Sequence, residues 1–264
     1  MVEGATPLQL LTGRMALAAL ILGLGFALFK PSLLRLDRAG LRHCSIAGLL
    51  NTISMLAYYQ SLVYLDVSIA TIIYALYPMV ALLLLTLFHE RLRWTDLLRF
   101  ALSLAGVWLL VDPGGTRSIL GLMLCGTSCL VFAVHVVYVQ WKLADLPATT
   151  TSFYVISCMT VLLGGASLCI DGWDPPWHRA VILAIVWSAV VSTAAARILL
   201  FTAIARIGSA QTALLAPLES LLTLILAMLL LGERMVPVQY LGATLVLFSA
   251  VLGGRRRLSL ERKS

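Results

Sequence analysis

Ser68-Ile69-Ala70-Thr71, then Tyr77-Pro78, then His89-Glu90-Arg91-Leu92 is a series that this chain states nearly twice. It returns as Ser209-Ala210-Gln211-Thr212, then Glu219-Ser220, then Gly232-Glu233-Arg234-Met235. Glu90 and Glu233 lie 143 residues apart in a chain of 264, a little over half its length. A repeat of that period, built almost wholly of apolar residues, points to a membrane protein of two related halves. In transporters such halves enclose the substrate path.

Composition agrees with a membrane protein and excludes a soluble fold. Hydrophobic residues make up 61% of the chain and charged residues 12%, with a mean hydropathy of +0.98. A soluble fold of this size needs far more polar surface. The apolar residues come in long runs, such as Met15 to Phe29 and Leu214 to Leu231. Runs of about 20 residues match a bilayer core roughly 30 Å thick. The formal charge of +7 is not a nucleic-acid footprint, because the basic residues form no patch interleaved with aromatics. They fall in the short gaps between apolar runs, where topology signals belong.

Breaking the chain at charges, Pro and Gly predicts nine spans over 8–29, 44–64, 67–88, 96–112, 118–141, 150–170, 180–203, 208–231 and 236–253. Arg14 followed by Met15 to Phe29 has the look of a signal peptide, yet no small-residue cleavage site follows. Lys30, Arg35, Arg38 and Arg42 come next, so the segment reads as a retained helix. One set of alternate gaps, with the tail Arg255-Arg256-Arg257, holds thirteen Lys and Arg; the other holds Arg14, Arg117, Arg179 and Arg234. This bias predicts a cytoplasmic C-terminus and an N-terminus outside. The gaps at Glu90 and Glu233 then fall on opposite sides, so the two halves are inverted.

The series Tyr59-Gln60-Ser61-Leu62, Ala70-Thr71, Leu76-Tyr77-Pro78, Glu90-Arg91-Leu92 and Gly106 resembles the EamA module of the drug/metabolite transporter superfamily. The second half repeats it as Phe201-Thr202-Ala203-Ile204, Thr212, Leu218-Glu219-Ser220, Gly232-Glu233-Arg234 and Gly242. The resemblance runs from Arg14 to Gly253. It implies an all-α polytopic bundle and a secondary transporter for small metabolites, often an exporter. Family members typically carry ten helices in two halves of five, with both termini cytoplasmic.

Three departures stand out. Only four spans precede Arg117, so the expected set lacks the first family helix: a misassigned start, a truncated gene or a working nine-helix protein. Ser220 stands where a Pro is common, with Pro217 one turn earlier. Arg99 stands where the second half has Gly242, a close-packing position. The expected organisation is thus a first half over 1–112, a second over 113–254 and a basic tail over 255–264.

Glu219 is the sharpest candidate for the site. A carboxylate inside an apolar span is expensive and must face the bundle interior or a water-filled cavity. It would bind a substrate amine, carry a coupling proton or pair with another polar group for packing. Arg197, in the preceding span, is its expected counter-ion, either as a structural bridge or as a binder of anionic substrate. Tyr74 and Tyr77 are spaced i, i+3 and share a face. With Tyr58, Tyr59 and Gln60 they suit either a cavity for amphipathic solutes or an interfacial anchor. Pro78 and Pro217 interrupt apolar helices, as gating breaks or as static kinks. His135 and Gln140 are isolated polar positions in one span, and His135 reads as hydrogen-bonded packing. Glu90 and Glu233 read as helix-end caps or interface salt bridges.

The five cysteines, Cys44, Cys125, Cys129, Cys158 and Cys169, are odd in number and lack paired metal-ligand spacing. Cys125 and Cys129, one turn apart, read as small packing residues. With no Gly-rich phosphate loop, nucleophile elbow or zinc-spaced His pair, no enzyme, cofactor or metal is expected. Asp112-Pro113-Gly114-Gly115 reads as a turn. The expected partners are a small-molecule substrate and the bilayer, with the basic tail on anionic lipid. Proton coupling and a homodimer that restores the missing helix both remain open. The competing reading is a truncated, non-transporting paralogue or accessory subunit.

Overall fold

Pro7 opens the first helix at the position where a missing backbone N–H costs nothing. The helix, α1 (Pro7–Phe29), stops one residue before Lys30-Pro31, since Pro cannot continue a helix. The computed structural model describes residues 7–65, 70, 73–74, 76–87, 94–110, 118–170 and 179–215, with 222, 237–238, 240–242, 244–245 and 248. Every regular element among them is helical. After a 3-10 turn at Pro31–Leu34 come α2 (Arg38–Ser61), α3 (Tyr77–Leu87), α4 (Trp94–Leu110), α5 (Ile119–Leu143) and α6 (Ala148–Ile170). Next, α7 (Arg179–Trp187) runs through a π-helical segment, Ser188–Ala195, into α8 (Ala196–Leu214). Four described stretches are long and apolar enough to cross a bilayer: Leu8–Phe29, Ile119–Leu143, Ala148–Cys169 and Val181–Gly208. This is an all-α, multi-pass membrane fold.

The boundaries have local causes. Asp37 caps α2, its Oδ1 accepting from the Gly40 N–H at 2.9 Å, and the first helical bond runs from Leu41 N to Asp37 O. α6 follows α5 across only Ala144 to Pro147, so the two run antiparallel. α8 breaks at Gly208, whose φ of 82° and ψ of 161° leave the helical region for one that essentially only Gly adopts. The sequence places a break after Ala203; the helix runs past Arg206 and is interrupted at Gly208, the residue able to reverse φ, within Ala196–Leu214.

The helix pattern carries the repeat. Shifted by 143 residues, α1 falls on 150–172, against Ala148–Ile170 for α6. Shifted likewise, α2 falls on 181–204, inside the α7–π–α8 rod.

The chain forms two compact units, and neither coincides with a sequence half. The first unit holds Met1–Tyr59 and Tyr138–Gly208; the second holds Gln60–Val137 and Ser209–Ser264. Each takes segments from both halves.

In the first unit α1 packs antiparallel on α6. Thr12 lies against Gly164, and Gly23 lies against the ring of Phe153, which also meets Phe26 edge-to-face at 6.0 Å. Position rises along α1 as it falls along α6. On another side Gly13 meets Ile185 of α7. α2 closes on α6 where Gly48 faces Cys158; a Cβ at Gly48 would sit 2.7 Å from that of Cys158. α6 also holds the 3-10 turn. Thr150 Oγ1 donates to Leu33 O at 3.0 Å and Tyr154 OH to Leu34 O at 2.7 Å. Away from these contacts, Leu20, Leu24 and Leu28 of α1 and Val161 and Leu168 of α6 are exposed, as lipid-facing side chains should be.

In the second unit, Tyr77, Ala81 and Leu85 of α3 form a ridge of spacing four. Cys129, Ala133 and Val137 of α5 form its counterpart in the same cluster. Cys125, one turn earlier, is buried and donates to Ala70 O at 3.4 Å, so both cysteines of the i, i+4 pair sit in helix packing.

Candidate substrate site

α2 is long enough to span a bilayer, yet it is the polar helix of the first unit. Asn51, Ser54, Met55 and Tyr58 fall at i, i+3, i+4 and i+7, which makes one stripe along the helix. Asn51 and Ser54 are each only 2% exposed. Buried polar side chains in a membrane helix face the protein interior, because lipid satisfies none of their hydrogen bonds. Thr52, beside the stripe, spends its hydroxyl on Gly48 O at 2.8 Å within its own helix.

Two arginines reach this stripe. Arg197, the second residue of α8, sets its guanidinium against the Asn51 side chain. The Asn51 oxygen accepts from Arg197 Nη1, and from Nη2 at 2.8 Å. The opposite amide orientation would press NH2 donors against guanidinium donors, so the oxygen must face the cation. Arg14 approaches from α1. Its Nη2 points at Met55 Sδ, 4.0 Å away, and its Nε is buried without an acceptor among the described residues. Thioether sulfur is a weak acceptor, so this contact does little to neutralise the charge. Asn51 and Met55 are one turn apart, so both cations arrive on the same face of α2.

Arg197 therefore has a polar partner that sequence reading did not name. Its expected partner Glu219 lies outside the described residues, as do Pro217, Glu90 and Glu233. Arg14 also departs from expectation. The charge pattern assigns it to the outer flank, but it lies two turns inside α1. Without it the charge bias is thirteen against three, and its sign is unchanged.

The π-helical segment leads directly into Arg197. Its wider turn shifts the helix face relative to a continuous α-helix, and such segments frequently occur at functional sites. Ala189, Thr193 and Ala194 are its buried residues, and the Thr193 hydroxyl has no partner among the described residues.

Tyr74 and Tyr77 are brought together in the second unit, with ring centroids 5.7 Å apart. Both pack on Phe132 of α5, Tyr74 tilted at 5.3 Å and Tyr77 edge-to-face at 4.9 Å, and Phe132 in turn stacks on His135 at 5.8 Å. Tyr77 is in the hydrophobic core cluster, and His135 is fully buried beside it. Aromatic–aromatic packing accounts for the cluster without a ligand. Pro78 is buried in the first turn of α3, where its missing N–H is tolerated, and the interruption falls at Leu76 just before it. Tyr59 and Gln60 end α2, with Tyr59 edge-on to Tyr58 at 6.0 Å and Gln60 exposed. Gln140 of α5 lies 3.5 Å from where a Cβ at Gly208 would stand.

Reading the sequence missed Asn51 and Phe132. The rule that singled out Arg197, a polar residue inside an apolar span, would have found Asn51. No pattern marks Phe132 among so many apolar neighbours.

Helices of this length and arrangement, with cations turned inward, define a polytopic membrane protein. The chain belongs to the EamA-like transporter family, whose model matches residues 1–112 and 119–253. An uncharacterized transporter of Synechocystis sp. is 28% identical over 226 residues, which is 80% of this chain; the chain spans 66% of that relative's length. A solved crystal structure shares the fold at a TM-score of 0.80 and 20% identity, over 97% of this chain and 90% of that one.

Proposed function

We propose that the chain is a secondary-active transporter that exports a small metabolite or drug. It works by alternating access between two inverted EamA-like halves, in a bacterial inner membrane with the C-terminus cytoplasmic. One observation carries this reading. α1 and α6 occupy equivalent places in the 143-residue repeat, yet they pack antiparallel through Thr12–Gly164 and Gly23–Phe153. Equivalent helices of opposite direction are what inverted halves produce, and exchanging the halves' conformations opens the path to alternate sides. The family match over both halves and the transporter-named relative support it.

The polar stripe of α2 with Arg14 and Arg197 is the part of the chain that receives substrate in this reading. Glu219 remains the candidate for coupling a proton, and Tyr74, Tyr77, Tyr59 and Gln60 remain candidates for contacting substrate. Purified protein in proteoliposomes tests the reading directly. Under an imposed pH gradient, flux of at least one compound among amino acids, organic acids, sugars and cationic drugs should exceed that of empty vesicles. Its export should fall in cells lacking the gene. Absence of flux across the whole panel favours the accessory-subunit reading instead.

A further inference from the structure

We infer that the outward face of α2 binds an anionic phospholipid, with the phosphate on Arg38 and Arg42 and an acyl chain along Ile46, Leu49 and Ile53. The inference is independent of the transport reading, because this face points away from the substrate stripe.

Helix register builds the site. At about 100° per residue, Arg38, Arg42, Ile46, Leu49 and Ile53 fall within an arc of roughly 80°. All five side chains are exposed. Asn51, Ser54, Met55 and Tyr58 lie on roughly the opposite side of the helix, and Asn51 and Ser54 are buried there. The two arginines stand at the start of α2, and the three aliphatic residues continue their line along it. From Arg42 to Ile53 the helix rises about 17 Å. That is close to half of a hydrocarbon core roughly 30 Å thick, the depth of one leaflet.

The apolar part of the stripe accepts the chains of any lipid, so the arginines decide the headgroup. Their planar N–H forks match pairs of phosphate oxygens, and their charge persists at any working pH. Residues 30–42 carry four basic side chains against one acid, Asp37. Asp37 is engaged at the cap of α2, where its Oδ1 accepts from the Gly40 N–H at 2.9 Å. A zwitterionic headgroup brings an ammonium that offsets its own phosphate, whereas an anionic one leaves that charge to the arginines. Each basic residue beside an anionic leaflet is worth about fivefold in binding. The approach to the site is also fixed. Leu33 O and Leu34 O accept from Thr150 Oγ1 and Tyr154 OH, which pins the turn before α2 to α6.

Thermal unfolding of the full chain in dodecyl maltoside tests the site without requiring transport. The probes are dioleoylphosphatidylglycerol, dioleoylphosphatidylcholine and glycerol 3-phosphate. Phosphatidylglycerol should raise the melting temperature saturably, with an apparent Kd at least tenfold below that of phosphatidylcholine. Arg38→Gln and Arg42→Gln should each remove about fivefold of that preference. Arg179→Gln, which deletes the same charge at the start of α7, should retain it. The comparison of lipids within wild-type protein stands even if a variant fails to fold. Equal shifts from the two lipids overturn the site. An equal loss in Arg179→Gln overturns it in favour of general charge attraction. A shift from glycerol 3-phosphate as large as that from the lipid assigns the arginines to a soluble phosphate ester instead. A dimer in both lipids that Leu49→Arg splits into monomers would give the stripe to a second copy of the chain and sink the lipid.

Discussion

Asn51 is the residue through which the two halves of the site meet, since it joins α2 to α8 by hydrogen bonds to a charged group. Bonds of that kind contribute about 1.5–3 kcal/mol, and more is lost when the surviving partner stays buried. Asn51→Leu should therefore lower the melting temperature of the solubilised protein, whereas Asn51→Asp keeps an acceptor and should hold it near the wild-type value. If Asn51→Leu melts as the wild type does, Arg197 is anchored by other groups. Gly48 makes a steric prediction of the same scale. A methyl there meets Cys158 Cβ at 2.7 Å and Val155 O at 3.2 Å, which side-chain rotation cannot relieve. Gly48→Ala should cost about 1–3 kcal/mol as overpacking, and Cys158→Gly in the same chain should restore part of it. A Gly48→Ala protein as stable as wild type would show that α2 and α6 can separate cheaply.

At the scale of elements, the rod from Arg179 to Gly208 is the least regular helix and the most informative. Its π-helical turn precedes Arg197, and its end is fixed by a backbone geometry closed to other residues. Gly208→Ala should cost about 1–3 kcal/mol of strain and lower the melting temperature, while Gly126→Ala, where nothing lies within 4 Å, should be neutral or stabilising. Comparable melting for the two would mean that α8 need not break at Gly208. The spans of α1, α5 and α6 were legible because long apolar runs bounded by charge have few readings other than a membrane helix. The π-helix was not legible, since Ser188–Ala195 has the apolar, small-residue composition of an ordinary helix turn. The two-arginine stripe was half legible. Arg197 stood out as a charge in an apolar span, but Arg14 sat close enough to the end of the run to be taken for a flank. The ring cluster was legible in its local pair Tyr74 and Tyr77 and not in Phe132, because contacts across 55 or more residues leave no trace in spacing.

For the whole molecule, the repeat and the compact units divide the chain differently. The repeat splits it near residue 113, while the first compact unit combines α1 and α2 with α6, α7 and most of α8. Equivalent helices of the two halves thus share one unit, an arrangement that no local pattern could reveal. The proposed inverted topology makes a prediction here. Cys169 is exposed near the end of α6 that the charge bias places outside, while Cys44, Cys125 and Cys129 are buried. A membrane-impermeant maleimide should label intact cells, Cys169→Ser should abolish that labelling, and a C-terminal alkaline phosphatase fusion should be inactive. Labelling that appears only after the cells are opened would reverse the orientation. The packing of α1 on α6 also governs how the protein is made. Gly23 waits for Phe153, and that partner is synthesised 130 residues later. At roughly 5–20 residues per second the delay is on the order of 6–26 s. During that interval α1 sits in the bilayer with a small-residue groove uncovered. Biogenesis therefore depends on whatever shelters α1 at the insertion machinery, and a chain cut after Leu143 should be cleared by membrane proteases far faster than the full-length protein.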